Sequence, residues 1–257
     1  MKKQPAGPVG IDAARALPGL RLIALQGVPS PWSQAAKAIL HVKGIPYTLV
    51  HRTKEDAADA LETWTGQASF PAAMFEHERP RSGWAEILLL AERLAPKRAL
   101  VPAEPTRRAF CFGVAHEICG EMVLGWCRRL EMVSAGLART PPDPISEWLG
   151  RKYGYSPETA ALAPARVHDV LALLGDLLAE HGGAYLLGDS LSVLDLYWAT
   201  FCNLLSPLPP ALMPMPERMR PMFTAREPAV NEQLERTGLL AHRDRIYREH
   251  LELPVVL

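Results

Sequence analysis

Between residues 21 and 94, short apolar runs alternate with segments that have the spacing of amphipathic helices. Residues 22–25 are typical of a buried strand, and residues 33–43 place apolar side chains on one face of a helix that ends at Gly44. A second strand follows at residues 46–50. Since a whole helix joins these two strands, we expect them to be parallel. The same pattern predicts helices at residues 55–64 and 84–94 and an extended run at residues 67–75.

The remaining residues show only helix and loop patterns. We expect one long helix at residues 106–137, in which Gly113, Gly120, Gly125 and Gly136 are candidate weak points or sites of close packing. A loop is expected at 140–163, opening with Thr-Pro-Pro-Asp-Pro, and a helix at 166–181. Residues 206–221 are rich in Pro and Met and predict no regular structure, and short helices are expected at 227–236 and 240–250. The organisation that follows is a flexible tail at 1–20, an α/β domain at 21–95, a linker at 96–105 and an all-helical domain at 106–257.

A strong local signal lies after Gly188 and Asp189. Ser192 and Asp195 have the spacing of a capping box, in which each residue satisfies a backbone N–H group of the other. Leu191 and Leu196 flank the pair as a hydrophobic staple. We interpret this motif as structural, and it predicts a buried helix at residues 193–204.

Composition narrows the classes of function. The 257 residues carry 28 Lys and Arg against 28 Asp and Glu, so no basic excess favours nucleic acid or an anionic membrane as a partner. No apolar run approaches the length of a membrane span, and residues 1–10 lack the apolar centre of a signal peptide, so we expect a cytoplasmic protein. The four cysteines form no C-x-x-C pair and have no histidine at metal spacing; we expect buried, reduced thiols and no metal.

The richest chemistry lies at residues 28–33, Val-Pro-Ser-Pro-Trp-Ser, between the first strand and the first helix. A helix N-terminus offers free N–H groups and the positive end of the helix dipole, which favour a thiolate or another anion. Ser30 and Ser33 are the hydroxyls in that field. For Ser33 a plain N-cap is the preferred interpretation. For Ser30 a rigid turn between two prolines and a functional hydroxyl remain equally open.

Together these features resemble the glutathione transferase superfamily. Ser30-Pro31-Trp32 is similar to the Ser-Pro-Phe loop of serine-type members, and Phe70-Pro71 stands where the family keeps a cis-proline. Leu187-Gly188-Asp189 with the capping box resembles the family's helix-nucleating motif. The resemblance, from Arg21 onward, implies a thioredoxin-like α/β N-terminal domain followed by an all-α C-terminal domain.

The resemblance also implies roles for individual residues. Ser30, with Ser33 as second choice, would stabilise the thiolate of glutathione for attack on a small electrophile, and Phe70, before Pro71, would offer its backbone to the peptide of glutathione. Trp32 would line the pocket, and Gln67 would donate to a carboxylate. A homodimer is also expected.

One segment departs from the family. Members usually carry an acidic residue and a serine before the third helix, which hold the γ-glutamyl group of glutathione. Here the pair becomes Ser82-Gly83, or Arg81-Ser82 after a slip of one residue, followed by Trp84. Neither pair supplies an acid for the ammonium group, which Arg81 would repel, although Arg81 and Ser82 can still hold a carboxylate at the helix N-terminus. The alternative function is therefore a non-catalytic binding or scaffold protein that has kept the fold.

Overall fold

The computed structural model describes residues 9–257, and its N-terminal part is built on a three-stranded sheet of order β2-β1-β3. Strand β1, Leu20–Ile23, pairs in parallel with β2, Tyr47–Val50, and antiparallel with β3, Ala72–Phe75. The predicted parallel pairing of the first two strands is confirmed. The helices of this part are α1, Ile11–Ala14; α2, Pro31–Lys43; α3, Ala60–Thr65; and α4, Trp84–Leu94.

The alternation of side chains along β1 separates two layers of helices. Leu20 and Leu22 belong to the core that holds α2 and α4, whereas Ile23 belongs to a second cluster with α1 and α3. Helix α3 covers only half of the predicted span 55–64. The larger core continues from α2 and α4 into the helical half, so the two halves pack on each other through α2.

The predicted tail at residues 1–20 is wrong for its second half. Val9 forms a bridge with Val50, and α1 buries Ile11 and Ala14 completely against the sheet. A segment that buries apolar side chains in this way belongs to the folded domain. Residues 1–8 of the predicted tail lie outside the described residues.

The helical half contains eight α-helices within residues 9–257. They are α5, Pro105–Cys119; α6, Leu124–Leu137; α7, Pro144–Lys152; α8, Pro157–Glu180; α9, Val193–Phe201; α10, Arg220–Thr224; α11, Pro228–Arg236; and α12, Leu239–His250. Short 3₁₀ turns follow α9 at Cys202–Leu204 and precede α10 at Glu217–Met219.

Two helix predictions are wrong. The expected single helix at 106–137 is broken between α5 and α6, where Gly120 is extended and Met122 has a φ of +52°. A Cβ on Gly120 would lie 2.6 Å from Nε2 of His116, so a larger residue at this break would require the exposed His116 side chain to move. The expected loop at 140–163 contains α7 and the start of α8. Pro144 and Pro157 are the first residues of these two helices, where a backbone N–H group would have no acceptor within the helix, so proline is tolerated there.

The capping box at the start of α9 is present, and it is part of a larger buried network. The carboxylate of Asp195 accepts hydrogen bonds from the N–H and hydroxyl of Ser192, both at 2.8 Å, and from the N–H of Leu186 at 2.9 Å. His242 on α12 lies 3.0 Å away through Nε2. Asp195 therefore ties three parts of the helical half together.

Candidate functional site

Ser30 is the N-cap residue of α2. Its backbone is extended, and its carbonyl oxygen accepts the first helical hydrogen bond from Gln34 N at 2.9 Å. The hydroxyl of Ser30 donates to and accepts from none of residues 9–257. The helix thus begins with a hydroxyl that has no partner among the described residues, beside free N–H groups, and Ser30 as a whole is 7% exposed.

Ser33 lies inside the first turn of α2, so its interpretation as an N-cap is wrong. Proline is favoured at the first position of a helix, and Pro31 starts α2 two residues earlier than the pattern predicted. The side chain of Ser33 is fully buried, and its Oγ accepts from Leu25 N at 3.4 Å. Ser33 therefore fixes the preceding loop to the helix and does not face a ligand.

Trp32 is half-buried at the junction of the two halves. Its Nε1 donates to the carbonyl oxygen of Cys119 at 2.9 Å. Its ring packs edge-on against Phe201, with 5.0 Å between ring centroids, and lies 6.2 Å from the ring of Tyr153. These contacts hold the ring beside the start of α2.

The Phe70-Pro71 peptide bond is cis, as the resemblance to the glutathione transferases implies. The backbone N–H and C=O of Phe70 make no hydrogen bond with any of residues 9–257. Such a free pair of groups beside a strand can pair with an extended peptide.

Several predicted residues meet around one narrow cavity between α2, α4 and α9. Pro71 and Trp32 line it from the N-terminal side, together with Ser82 and Trp84 at the start of α4. Trp84 packs edge-on against Tyr197, with ring centroids 5.7 Å apart, and its carbonyl oxygen accepts from the Tyr197 hydroxyl at 3.2 Å.

Gln67 does not reach this cavity. Its Nε2 donates to the carbonyl oxygen of Ser69 at 2.7 Å, and its Oε1 accepts from Ser69 N. The side chain closes its own loop, so the predicted role in binding a carboxylate has no support from the geometry.

The start of α4 is partly occupied by a carboxylate of the chain itself. Glu86 Oε2 accepts from the N–H groups of Ser82 and Gly83 at 3.3 and 3.2 Å, and Arg79 donates to Oε1 at 2.9 Å. Burial opposes ionisation of Glu86, but these hydrogen bonds together lower its pKa. The N–H groups of the first three residues of α4 are left without an acceptor among residues 9–257.

Arg81 is turned to a neighbouring acid and is absent from the cavity wall. Its guanidinium donates to Glu78 at 2.6 Å, and Arg93 donates to the same carboxylate at 2.6 Å. These two arginines lower the pKa of Glu78. Both arginines thus occupy the carboxylate of Glu78, which does not replace the acidic residue that the sequence lacks before α4.

No protein-family model and no curated protein sequence match the chain. Among solved structures, a glutathione S-transferase from Methylobacterium radiotolerans in complex with glutathione sulfonate is 18% identical, with a TM-score of 0.62 over 90% of this chain and 91% of its own. The chain has the glutathione transferase fold.

Two further structures with this fold differ in class. Glutathione transferase Omega 3C from Trametes versicolor is 17% identical, with a TM-score of 0.58 over 95% of this chain and 94% of its own. A beta-etherase from Sphingobium sp. is 18% identical, with a TM-score of 0.61 over 89% of this chain and 95% of its own. Similarity at this level establishes the fold and leaves the reaction to be argued from the site.

The sequence analysis missed the aromatic residues that α9 brings to this glutathione transferase fold. Tyr197 and Phe201 complete the cavity, although they lie more than 100 positions beyond Trp84. The one available signal was the capping box, which predicts that α9 is buried and so places its aromatic side chains at an internal contact.

The other candidate chemistry of the chain is inert. All four cysteines are buried and free, and burial raises the pKa of Cys111 to about 12 and that of Cys127 to about 11, so both remain protonated at neutral pH. Residues 9–257 contain no group of His, Cys, Asp or Glu able to hold a metal ion. Within the same residues, no helix has the length and apolar character needed to cross a membrane.

Proposed function

We propose that this chain is a glutathione transferase-like enzyme in which Ser30 stabilises the thiolate of glutathione for attack on a small electrophile. The observation that carries the proposal is the free hydroxyl of Ser30 at the N-cap of α2, two residues before Trp32 of the cavity wall. The glutathione sulfonate in a neighbouring structure of the same fold supports glutathione as the co-substrate.

The proposed chemistry is ionisation of the thiol followed by reaction within one cleft. A free thiol has a pKa of about 8.5, and each unit of depression needs about 1.4 kcal/mol of preferential stabilisation of the thiolate. A hydroxyl that donates to the sulfur and the N-terminal field of α2 supply about one to two units. Holding both substrates side by side then removes the entropic cost of their encounter.

The peptide part of glutathione has two features available to it. Its backbone pairs with the free N–H and C=O of Phe70 in the proposed complex, and its γ-glutamyl carboxylate meets the free N–H groups at the start of α4. Glu78, the acidic residue that precedes α4, is held by Arg81 and Arg93 and is not free for the ammonium group. We therefore expect glutathione to bind more weakly than a complete γ-glutamyl grip would allow.

The substitution Ser30→Ala tests the proposal. Loss of the hydroxyl raises the pKa of the bound thiol by about one unit and lowers kcat/KM roughly tenfold, with little change in Tm. Ultraviolet titration of the enzyme-bound thiolate measures the shift, and thermal melts serve as the control for folding. A bound-thiol pKa that does not move in this variant refutes the role of Ser30.

The alternative, a non-catalytic binding or scaffold protein with this fold, is favoured by one observation. Glu86 already occupies N–H groups at the start of α4, where the γ-glutamyl carboxylate would lie. Calorimetric titration with glutathione separates the two functions, since absence of binding leaves only the alternative.

We also infer that the chain is a cytoplasmic homodimer, from its resemblance to the glutathione transferases. Light scattering is expected to give about twice the chain mass of 28.3 kDa. A single species at 28.3 kDa contradicts this inference.

A further inference from the structure

An open groove lies between the end of α8 and the start of α12. Its volume is about 640 Å³, and its walls include Leu178 and Ala179 of α8, Gly238, and several residues of α12. The groove shares no residue with the cavity between α2, α4 and α9. Solvent and small molecules therefore reach this groove without passing through the candidate site.

The first turn of α12 has N–H groups without acceptors. Its N-cap is Gly238, which has a φ of +71° and no side chain to cap the helix. The N–H groups of Leu239, Leu240 and Ala241 accordingly meet no acceptor in the part of the chain that the structure describes. These groups and the positive end of the dipole of a 12-residue helix attract an anion.

His242 lines the same groove and has a ring nitrogen without a partner. The residue is only 3% exposed, and its Nε2 donates to the carboxylate of Asp195 at 3.0 Å. Its Nδ1 is buried and forms no hydrogen bond with any of residues 9–257. Side chains on a helix lean toward the helix N-terminus, so this ring lies over the turn that carries the free N–H groups. Since a buried nitrogen without a partner is unfavourable, a ligand that bonded to it from the groove would gain affinity.

Arginine side chains make the groove positive. Arg245 and Arg248 line it, and both lie near Glu249, at 3.6 and 3.3 Å. Asp244 also lines the groove, but Arg243 pairs with it at 2.5 Å. Together these five side chains carry a net positive charge. Arg245 also donates to the turn after α8, whereas the side chain of Arg248 is 66% exposed and so is free to turn onto a ligand.

We propose that this groove binds the phosphate group of a small phosphate monoester. The phosphate oxygens accept from the free N–H groups of α12 and from the guanidinium of Arg248. Because a carboxylate only accepts, Nε2 of His242 carries the proton and Nδ1 is left as an acceptor. A phosphate monoester has a second proton with a pKa of about 6, which it shares with such an acceptor. Leu178 and Ala179 supply an apolar wall for the organic part of the ester.

The experiment is calorimetric titration of the full chain at pH 7.5 with phenyl phosphate, phenyl sulfate and inorganic phosphate. Phenyl sulfate carries less charge and has no proton to share, so it is expected to bind about tenfold more weakly than phenyl phosphate. Inorganic phosphate lacks a ring to pack on the apolar wall and is also expected to bind more weakly. Absence of phenyl phosphate binding, or equal affinity for phenyl sulfate, overturns the proposal. Equal affinity for inorganic phosphate overturns the ester as the ligand and assigns the groove to free phosphate.

Ala241→Glu and Ala241→Gln form a matched pair at the start of α12. Ala241 is exposed in the first turn, where a glutamate is favourable for the helix but repels an incoming phosphate. Ala241→Glu is therefore expected to lower the affinity for phenyl phosphate about tenfold or more without lowering Tm. Ala241→Gln has the same size and no charge, and it is expected to keep most of the affinity. Unchanged affinity in Ala241→Glu overturns the proposed site.

Substitution of the other groups completes the test. Arg248→Gln is expected to lower the affinity about tenfold, whereas Arg151→Gln, which removes an exposed arginine of α7 outside the groove, is expected to keep it. His242→Gln retains a donor for Asp195 and lacks Nδ1, so its affinity is also expected to fall. An equal loss in Arg151→Gln would mean that overall charge attracts the ligand, which overturns the site. The Ala241 and Arg248 variants decide the proposal even if His242→Gln fails to fold, because both residues are exposed.

Discussion

Lys37 lies in the middle of α2 with its ammonium group enclosed by protein. It donates to the carbonyl oxygen of Val256, and burial lowers its pKa to about 8, although the charge of Glu252 opposes this shift. Burial lowers the pKa of the neighbouring His51, and the charge of Lys37 lowers the pKa of His51 further. A cation is thus held in the helix that carries the candidate site.

We predict that Lys37 makes stability rise with pH between about 8 and 10.5. In this window the unfolded chain, with a lysine pKa of 10.5, binds more protons than the folded chain, so raising the pH favours folding. The unfavourable burial of charge is fully present below pH 8 and is relieved as the pH rises. The gain in unfolding free energy is on the order of 2 kcal/mol.

Urea unfolding at pH 7.5 and at pH 10 measures this effect. The variant Lys37→Met lacks the titrating group but retains the other ionisable side chains, so its smaller change with pH isolates the contribution of Lys37. An equal change in both proteins would mean that Lys37 titrates normally in the folded state.

At the scale of elements, the fit of α6 against α9 depends on Gly125. A Cβ on Gly125 would lie 2.4 Å from Cε1 of Phe201, the residue that packs on Trp32. We predict that Gly125→Ala lowers the unfolding free energy by about 1–3 kcal/mol through overpacking and shifts tryptophan fluorescence. Urea unfolding followed by fluorescence checks both effects.

Gly113 on α5 is the control for this prediction. A Cβ there would meet nothing within 4 Å, so Gly113→Ala is expected to stabilise the protein by about 0.5–1 kcal/mol through helix propensity. Destabilisation of both variants to a similar extent would show that the clash with Phe201 is not the cause.

The hydrophobic pattern was sufficient to predict most helices and strands, but it did not predict the residues at which they begin and end. Periodicity gave α2 and α4, because each buries an apolar face, and the capping box gave α9, which is buried on all sides. The sequence pattern marked four glycines as candidate weak points of the helix at 106–137 but did not reveal that the chain breaks at Gly120, since apolar spacing continues through that position. The proline-rich opening at 140–144 suggested a loop, whereas Pro144, like Pro157 further on, starts a helix.

The same limit applies to the candidate site. Ser30, Trp32 and the Phe70-Pro71 bond were recognisable because the chemistry lies in short contiguous segments. The positions of Tyr197 and Phe201 in the cavity depend on contacts with distant residues, and no local pattern specifies such contacts. The hydrogen bonds of Gln67 to Ser69 and of Arg81 to Glu78 are likewise evident only from the three-dimensional structure.

At the scale of the whole molecule, residues 251–257 join distant parts of the fold. The carbonyl oxygen of Val256 accepts from Gln34 at 3.2 Å as well as from Lys37, and Val255 N donates to the carbonyl oxygen of Leu212 at 2.7 Å. The side chain of Val255 is buried. This segment therefore links α2 to the Pro- and Met-rich stretch at 206–221.

We predict that deletion of residues 252–257 lowers the unfolding free energy by about 2 kcal/mol, from the lost hydrogen bonds and the lost burial of Val255. The 206–221 stretch is expected to become the first site of cleavage in limited proteolysis, as mass spectrometry would show. Val256→Ala is the control, because it keeps the backbone carbonyl and removes only a side chain that is 55% exposed. Cleavage elsewhere, or a loss as large in the control, would contradict this assignment.

The hydrogen bond from Gln34 to Val256 spans 222 positions of the chain. At typical rates of translation, the ribosome needs roughly 10–40 s to proceed from one residue to the other. Throughout that interval α2 has left the ribosome without the partners that enclose Lys37. A nascent chain in this state exposes the apolar face of α2, and the cavity between α2, α4 and α9 is complete only after α9 has emerged.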